Sequence, residues 1–359
     1  MTEQFRLLLS GLDTVQAAYY LRPELGSAFS FEHLMVEKER LRANKSRCGV
    51  LVNLGGESFL VQAFGSKSGY PLVVDHTDYT IECGEFNDPA FFVTYRSKAL
   101  WHTGAAALHA AFLVWAESVG LRVAHGEKLS RVDFAFDYWV AHPQFDSDCV
   151  VSLSAKDAQY RGDRQVQTIQ YGKGDVVLRI YNKIVEIQEQ SGKVWLFDLW
   201  GEKQDVWRIE WQVRKNVLRR FGLRTFADLF EGYGDALRWL SDEHDSLRVP
   251  NGDSNRSRWP LHPLWTDLIA RIATFPCQGT YSEVDEEAVI RAQLARIAIS
   301  IYGYHKRVAA LVSLRDRKPR VLFGEARAEL QSLVERVHEP ITWEADVEAK
   351  RLQSRFLGT

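Results

Sequence analysis

The sequence predicts an α+β protein: an antiparallel β-sheet core with packed helices, a β-rich N-terminal half and a helical C-terminal region. Two patterns predict this class. Short apolar runs broken by Gly, Pro and Asp fill the first 95 residues, whereas apolar residues recur at helical spacing beyond residue 263. With 46% hydrophobic and 12% aromatic residues, a chain of 359 residues can form a sizeable core.

The first predicted domain, residues 1–95, is a β-rich subdomain interrupted by one helix, Phe31–Ala43. Its predicted strands are Phe5–Leu9, Val15–Tyr20, Gly49–Asn53, Ser58–Phe64, Leu72–Val74, Tyr79–Glu82 and Phe91–Tyr95. A long helix over Ser97–Val119 is predicted next, because apolar residues recur there at intervals of three and four. These residues are Trp101, Ala105, Leu108, Phe112 and Trp115.

The second predicted domain, residues 96–248, contains segments with apolar residues on one face and reactive side chains on the other. Arg131–Asp137 presents Asp133 and Asp137, and Leu178–Lys183 presents a tyrosine between two cations. The full set on the polar face is Asp133, Asp137, Arg179, Tyr181, Lys183, Arg208, Glu210, Gln212 and Arg214. If these strands share one sheet, carboxylates, a tyrosine and cations converge on one surface.

A solvated face of an antiparallel sheet also carries alternating polar residues, so each segment alone has an ordinary structural interpretation. The combination favours function, because Asp is disfavoured in strands and two are present in Arg131–Asp137. Gly172–Asp175 is a turn signature between Thr168–Tyr171 and Val176–Asn182, which predicts a hairpin. Thr225 is the predicted N-cap of a helix that extends through Trp239.

The segment Val249–Pro263 is rich in Pro, Asn, Ser, Asp and Gly and is the predicted domain boundary. Residues 249–359 form the predicted helical C-terminal region, with Glu283–Tyr302 and Glu325–His338 as its clearest helices. The basic stretch Arg315–Arg320 between them is a candidate contact for DNA or for a partner protein.

The formal charge of −2 and the pI near 6.6 argue against a protein that coats nucleic acid through bulk charge. A local basic surface remains available for DNA, and its candidate residues are Arg208, Arg214, Lys215, Arg219 and Arg220. The four cysteines form no C-x-x-C pair, which argues against structural zinc. No apolar stretch has the length of a membrane span, and a cytoplasmic location is predicted.

The order of these motifs resembles the replication initiation factor (Rep_trans) family. The resemblance covers about residues 128–222 and rests on Arg131–Asp137, Thr168–Gly172, Leu178–Lys183 with Glu186, and Trp207–Glu210. The family comprises rolling-circle initiators of plasmids and filamentous phages, and relaxases of some conjugative elements. The resemblance implies an enzyme of a mobile genetic element that nicks one DNA strand at an origin, forms a 5′-phosphotyrosine link and leaves a 3′-hydroxyl primer.

Tyr181 is the predicted nucleophile, and Arg179 and Lys183 are expected to favour its phenolate. Tyr171 is the rival nucleophile. Asp133, Asp137 and Glu210 carry oxygen ligands that suit Mg²⁺ or Mn²⁺, and a metal held mainly by carboxylates is what the resemblance implies. The alternative for the two Asp residues is a salt bridge to Arg208 or Arg131, with no metal.

The predicted partner is origin DNA, single-stranded or supercoiled, and a host helicase is a candidate protein partner. The central motif contains a single tyrosine, so closing the second strand needs a water or a second subunit, and a homodimer is expected. The competing function is a DNA-binding replication or regulatory protein that does not cut DNA. A tyrosine recombinase is disfavoured, because Tyr302 and Tyr304 lack the upstream catalytic framework.

Overall fold

The structure is a computed structural model that describes residues 4–46, 48–143, 145–162, 165–279 and 286–356. The chain divides into two compact units, Met1–Glu283 and Val284–Thr359. The domain boundaries predicted near residues 95 and 248 both lie within the first unit. The predicted α+β class is confirmed, because the first unit is built on a large antiparallel sheet and the second is helical.

The main sheet has eleven strands in the order β2-β3-β4-β5-β6-β1-β7-β12-β11-β10-β9. Strands β8 and β13 pair in a separate two-stranded sheet. The strands are β1 Phe5–Pro23, β2 Val50–Leu54, β3 Glu57–Val61, β4 Leu72–Asp75, β5 Tyr79–Cys83, β6 Phe91–Tyr95, β7 Leu121–Val140, β8 Val150–Ser152, β9 Asp157–Gly162, β10 Gln165–Tyr171, β11 Val176–Asn182, β12 Val206–Arg214 and β13 Asp245–Leu247.

Two long strands, β1 and β7, pair at the centre of the sheet and join its two halves. The sequence predicts two separate strands within β1, but the chain is extended throughout. Alternate residues Val15, Ala17, Tyr19 and Leu21 are buried, as the period of two requires. A register shift between Leu12 and Thr14 absorbs the polar interruption as a bulge instead of ending the strand.

The helices of the first unit are α1 Phe31–Ala43, α2 Ser97–Thr103, α3 Ala105–Ser118, α4 Lys183–Glu186, α5 Leu196–Trp200, α6 Lys215–Arg220, α7 Phe226–Trp239 and α8 Pro263–Ile272. Helix α7 begins as predicted, with a capping box formed by Thr225 and Asp228. The helix predicted over Ser97–Val119 is two helices. Gly104 separates them with φ of +87°, a conformation that glycine adopts easily, and the axes differ by 107°.

The core lies on the apolar face of the sheet, where aromatic rings from the strands meet the helices. Trp211 of β12 contacts Trp265 of α8 edge to face, with 5.5 Å between ring centroids. Phe136 of β7 also meets Trp211 edge to face, with 6.1 Å between ring centroids. Both tryptophans are fully buried. This packing fixes β7 and β12 and therefore the side chains on their opposite face.

The second unit contains α9 Glu286–Asp316, α10 Phe323–Val337 and α11 Trp343–Phe356. The predicted start of α9 at Glu283 lies outside the described residues. Val312 of α9 and Ala326 of α10 are buried, and Tyr302 contacts Phe323 at 5.9 Å. Arg315, in the predicted basic stretch, bonds the Glu329 carboxylate at 2.7 Å. This arginine therefore links the two helices.

Within the described ranges, no single helix has the length and apolar composition needed to cross a membrane; the bent pair α2 and α3 meets that test only when counted together.

Candidate functional site

The reactive side chains predicted from the sequence converge on one face of β7, β12 and β11, as expected. Across these neighbouring strands, Asp137 lies opposite Arg208 and Arg208 lies opposite Tyr181. One step along the same face, Glu210 lies opposite Arg179, and Gln212 then lies opposite Asp133. The face is therefore a polar row that extends across three strands.

Small residues on this face make room for a covering indole. Gly11 of β1 lies opposite Ala135 of β7. A Cβ atom at Gly11 would lie 2.8 Å from Cζ3 of Trp101, which belongs to α2. Trp101 can therefore pack this closely against β1 only because position 11 has no side chain. Its ring also lies 5.6 Å from the Arg208 guanidinium carbon.

Arg208 is the centre of a buried ionic cluster. Its Nε and Nη2 donate to the two oxygens of Asp137 at 2.6 and 2.8 Å. Its Nη1 donates to Oδ1 of Asp13 at 2.6 Å. The side chains of Arg208 and Asp137 have no solvent-exposed surface. The prediction that Arg208 contacts DNA does not match this position, because a fully buried guanidinium between two carboxylates has no surface to offer a phosphate. The alternative salt bridge from Asp137 to Arg208 is present.

Asp13 is a member of this cluster that the sequence analysis missed. It lies at the bulge of β1, between the shifted pairs of Leu12 and Thr14, and its carboxylate also accepts from Ser97, Trp101 and Lys193. Burial alone would raise its pKa, but Arg208 and Lys193 hold the pKa of Asp13 well below its usual range. The only sequence signal was a carboxylate inside an extended apolar run.

Tyr181 lies beside the cluster and is hydrogen-bonded to a carboxylate. Its Oη donates to Oε2 of Glu210 at 2.9 Å, and Nζ of Lys183 lies 3.4 Å from the same oxygen of the tyrosine. The residue is 8% exposed. Burial and the Glu210 charge raise the pKa of Tyr181 well above its ordinary value, although Arg208 opposes them. The expectation that its neighbours favour the phenolate is therefore wrong for this conformation, which keeps a neutral phenol.

Lys183 lies close to Tyr181 but not on the predicted strand. Asn182 ends β11 and caps α4, with its side chain accepting from two backbone N–H groups, so Lys183 is the first residue of the helix. Its Nζ lies 2.6 Å from Oε2 of Glu186. Burial and the charge of Arg208 lower the pKa of Lys183. The ammonium is thus held among carboxylates in a dry environment.

Arg179 connects the tyrosine to the open end of the row. Its Nη1 donates to Oε1 of Glu210 at 3.2 Å and its Nε to the Gln170 side chain at 3.2 Å. About a quarter of its side chain, 28%, is exposed. Further along the face, both oxygens of Asp133 accept from Arg131. Burial raises the pKa of Asp133 to about 6, because the bonds from Arg131 offset that effect only in part.

The carboxylates predicted as metal ligands do not fit one metal ion in this arrangement. Both oxygens of Asp137 are bonded by Arg208, those of Asp133 by Arg131, and those of Glu210 by Tyr181 and Arg179. In the part of the chain that the structure describes, no group of three or more His, Cys, Asp or Glu side chains is placed to hold a metal. The Mg²⁺ or Mn²⁺ requirement stays a prediction from the sequence.

The remaining predicted DNA contacts form a surface at the open end of the row. Arg214, Lys215, Arg219 and Arg220 are exposed at the end of β12 and on α6. Arg214 lies opposite Arg131 across β12 and β7. We call these four residues the α6 basic surface. The polar row therefore extends from buried ion pairs, past Tyr181 and Arg179, to an exposed cationic surface.

Tyr171, the rival nucleophile, points to the other side of the sheet. It lies opposite Leu178, whose side chain belongs to the core. Its hydroxyl donates to the backbone oxygen of Ser147 at 2.8 Å. Tyr171 and Tyr181 are thus on opposite faces, since side chains alternate along paired strands.

No protein-family model matches this sequence, and no curated protein matches it. Among solved structures, the chain is similar to a rolling circle replication initiator protein from Geobacillus stearothermophilus, with 16% sequence identity and a TM-score of 0.44. The match covers 74% of this chain and 97% of that chain. Similarity at this level does not by itself establish a family or a function for the chain.

Replacing Arg208 with Met should destabilise the fold strongly, because Asp137 and Asp13 would stay buried without their main cation. Loss of one partner from a buried ion pair costs about 3–5 kcal/mol. Urea unfolding measures this, with Arg6→Met as the control, since Arg6 pairs with Glu202 at the surface and such pairs contribute about 0–1 kcal/mol. Equal losses in the two variants would contradict the central role of Arg208.

Asp133 should give the stability a pH dependence of defined sign. The pKa of Asp133 in the folded protein, about 6, lies above the ordinary 3.8. The raised pKa therefore contributes fully to stability below about pH 3.8, and this contribution is lost as the pH rises through about 6. The advantage of the wild type over Asp133→Asn in the free energy of unfolding should fall across that window by up to about 3 kcal/mol.

Urea titrations at several pH values measure this difference, and Asp157→Asn is the matched control because Asp157 is exposed. An advantage that rises or stays flat between those pH values would show that the folded pKa of Asp133 is not raised.

Proposed function

We propose that this protein nicks and rejoins a DNA strand as a rolling-circle replication initiator or relaxase, with Tyr181 as the nucleophile. The observation that carries the proposal is the hydrogen bond from the Tyr181 hydroxyl to Glu210, within a group of cations. A nucleophile bonded to a base that is itself held by a third group is the arrangement that covalent catalysis requires. The motif order that resembles the Rep_trans family supports the same function.

In the proposed reaction, Glu210 acts as the general base. As Oη of Tyr181 attacks the phosphorus, its proton passes to Oε2 of Glu210, 2.9 Å away. The new bond joins the tyrosine oxygen to the 5′-phosphate, and the bond from phosphorus to the 3′-oxygen breaks. The 3′-oxygen leaves on the side opposite the tyrosine and takes a proton from water. Rejoining is the reverse of these steps.

This mechanism needs no phenolate in the resting protein. The raised pKa of Tyr181 keeps the nucleophile neutral, and the proton moves only as the bond to phosphorus forms. Lys183, 3.4 Å from Oη, and Arg179, which holds Glu210, supply positive charge for the phosphate oxygens. Glu210 therefore has a role other than the predicted metal ligand.

The substrate strand approaches along the exposed end of the row. Arg131 and Arg214 lie opposite each other beyond Gln212 and Asp133 on the same face. Phosphate contacts there position the strand and need not select its sequence. A bulk charge of −2 is compatible with this design, because the α6 basic surface supplies cations locally.

One observation favours the second candidate, a DNA-binding protein that does not cut. Tyr181 is only 8% exposed and every carboxylate in the row is paired, which is also typical of a structural polar network. The dependence of nicking on Tyr181 separates the two candidates.

Four further features stay proposals: the dependence on Mg²⁺ or Mn²⁺, the host helicase, the homodimer and the cytoplasmic location. The homodimer follows from the single tyrosine in the central motif Leu178–Lys183, since closing the second strand otherwise relies on water.

Tyr181→Phe should abolish nicking while leaving DNA binding intact. Supercoiled DNA carrying the element's own replication region is incubated with Mn²⁺, and open circles and SDS-resistant, protease-sensitive protein–DNA adducts are scored. Tyr171→Phe is the control on the opposite face and should keep the adduct. Nicking by Tyr181→Phe at the wild-type rate would exclude this nucleophile, and binding without nicking by the wild type would favour the second candidate.

Glu210→Gln should lower the rate of adduct formation by about 10²- to 10⁴-fold, because an amide cannot accept the phenol proton. Single-turnover cleavage of an origin strand measures the rate, and fluorescence anisotropy checks that binding is retained. Adding Gln212→Glu to Glu210→Gln gives a useful companion variant. It keeps one carboxylate on β12 but places it one step further from Tyr181. The same assay with EDTA in place of Mn²⁺ shows whether cleavage depends on a divalent metal ion. Unchanged cleavage by Glu210→Gln would remove Glu210 from the mechanism.

A further inference from the structure

A groove lies at the end of the sheet remote from Tyr181. It has a volume of about 660 Å³ and is lined by the β10–β11 turn, by the Ser154–Lys156 segment and by side chains from α6 and α7. None of its lining residues belongs to the polar row described above. A groove of this size is large enough for a nucleotide-sized group.

The floor of the groove is apolar and aromatic. Val176, Val217 and Trp239 form it. The Trp239 ring is partly exposed, and the Arg220 guanidinium carbon lies 4.8 Å from the ring centroid. A cation held over an indole face is positioned without losing its charge. The rings of His244 and Phe221 also contact Trp239, at 4.9 and 5.4 Å between centroids. The floor thus combines the exposed part of the indole with a fixed guanidinium.

One rim of the groove is cationic. Lys156 and Lys173 both line the groove and are exposed. The Gly172 N–H donates to the Lys156 backbone oxygen at 2.7 Å, so the two lysines lie side by side on this rim. Asp175, which also lines the groove, is acidic, but its Oδ2 accepts from the Asn216 side chain at 3.0 Å. Aromatic rings beside a line of cations are typical of proteins that bind single-stranded nucleic acid, with bases on the rings and phosphates on the cations.

The groove is continuous with the α6 basic surface. The Arg214 N–H donates to the backbone oxygen of Asp175 at 2.8 Å, so the rim of the groove directly adjoins Arg214. Along β11, Tyr181 is five residues from Val176, which is about 17 Å of extended strand. The odd separation places the two side chains on opposite faces of the sheet, so a strand passes from the groove to Tyr181 around the end of the sheet at Arg214. Such a path corresponds to roughly five nucleotides or more at the rise of B-form DNA.

We propose that the groove lined by Lys156, Lys173 and Trp239 binds an unpaired segment of the substrate strand a few nucleotides from the phosphate that Tyr181 attacks. The inference rests on the proposed function for the identity of that strand. The rim lysines contact its phosphates and the floor contacts a base. The groove thereby holds the strand in register with the nucleophile.

The test uses the full chain with Tyr181→Phe, so that binding is measured without cleavage. The probe is a fluorescein-labelled single strand of about 20 nucleotides, longer than the ~17 Å span, and a duplex of the same sequence is measured in parallel. The test variant adds Lys156→Gln and Lys173→Gln. The matched control adds Lys67→Gln and Arg122→Gln, which remove the same charge from exposed positions elsewhere.

The test variant should bind the single strand roughly tenfold more weakly than the control at low salt. Its plot of log affinity against log salt concentration should be shallower by about 1.4, the value for two lost phosphate contacts on a single strand. Equal affinity and slope in test and control variants would overturn the proposal, as would a loss confined to the duplex.

The outcome is separable from that of the proposed function. If the wild type binds the strand through these lysines but forms no covalent adduct, the groove proposal stands and the proposed nicking function fails. If an adduct forms at Tyr181 and the lysine substitutions have no effect, the nicking function stands and the groove proposal fails.

Discussion

The buried guanidinium of Arg208 is the interaction on which the rest of this site depends. It bonds Asp137 of β7 in two places and Asp13 of β1 in a third, and all of these contacts are shielded from water. Three strands are thereby fixed at one point of the sheet, including β1 and β7, which join its two halves. Low dielectric strengthens each contact and also makes the loss of any partner costly. The same charge opposes the rise in the pKa of Tyr181 and lowers that of Lys183.

This electrostatic environment defines what Tyr181 can do. The phenol is dry and neutral and is bonded to a carboxylate that Arg179 holds. In the proposed mechanism, the phenol proton passes to Glu210 during attack, and the nearby cations contact the phosphate oxygens. The polar row ends at the α6 basic surface, and this is the end from which we propose that the substrate strand approaches. Fold and proposed chemistry are thus linked through one row of side chains.

Much of this arrangement follows from alternation in the sequence. The period of two placed Asp137, Arg208 and Tyr181 on one face, and pairing in one sheet brought them together. Alternation does not show how deeply a side chain is buried. For that reason the sequence predicts Arg208 as a DNA contact, although its side chain is fully buried. Nor does it report contacts from distant elements: Asp13, Trp101 and Lys193 reach the cluster from β1, α2 and the segment before α5. The break at Gly104 was missed because its apolar flanks keep helical spacing across a turn that needs a positive φ.

The central claim is that Tyr181 forms the covalent link to DNA, and peptide mapping of the adduct tests it most directly. Wild-type protein is reacted with an origin strand, the DNA is trimmed with nuclease, and the protein is digested with trypsin for mass spectrometry. Tyr181 lies in the short peptide Ile180–Lys183, whereas Tyr171 lies in the peptide that ends at Lys173. The account predicts a nucleotide on the Ile180–Lys183 peptide. A nucleotide on any other peptide, or strand cleavage with no modified peptide, would contradict it.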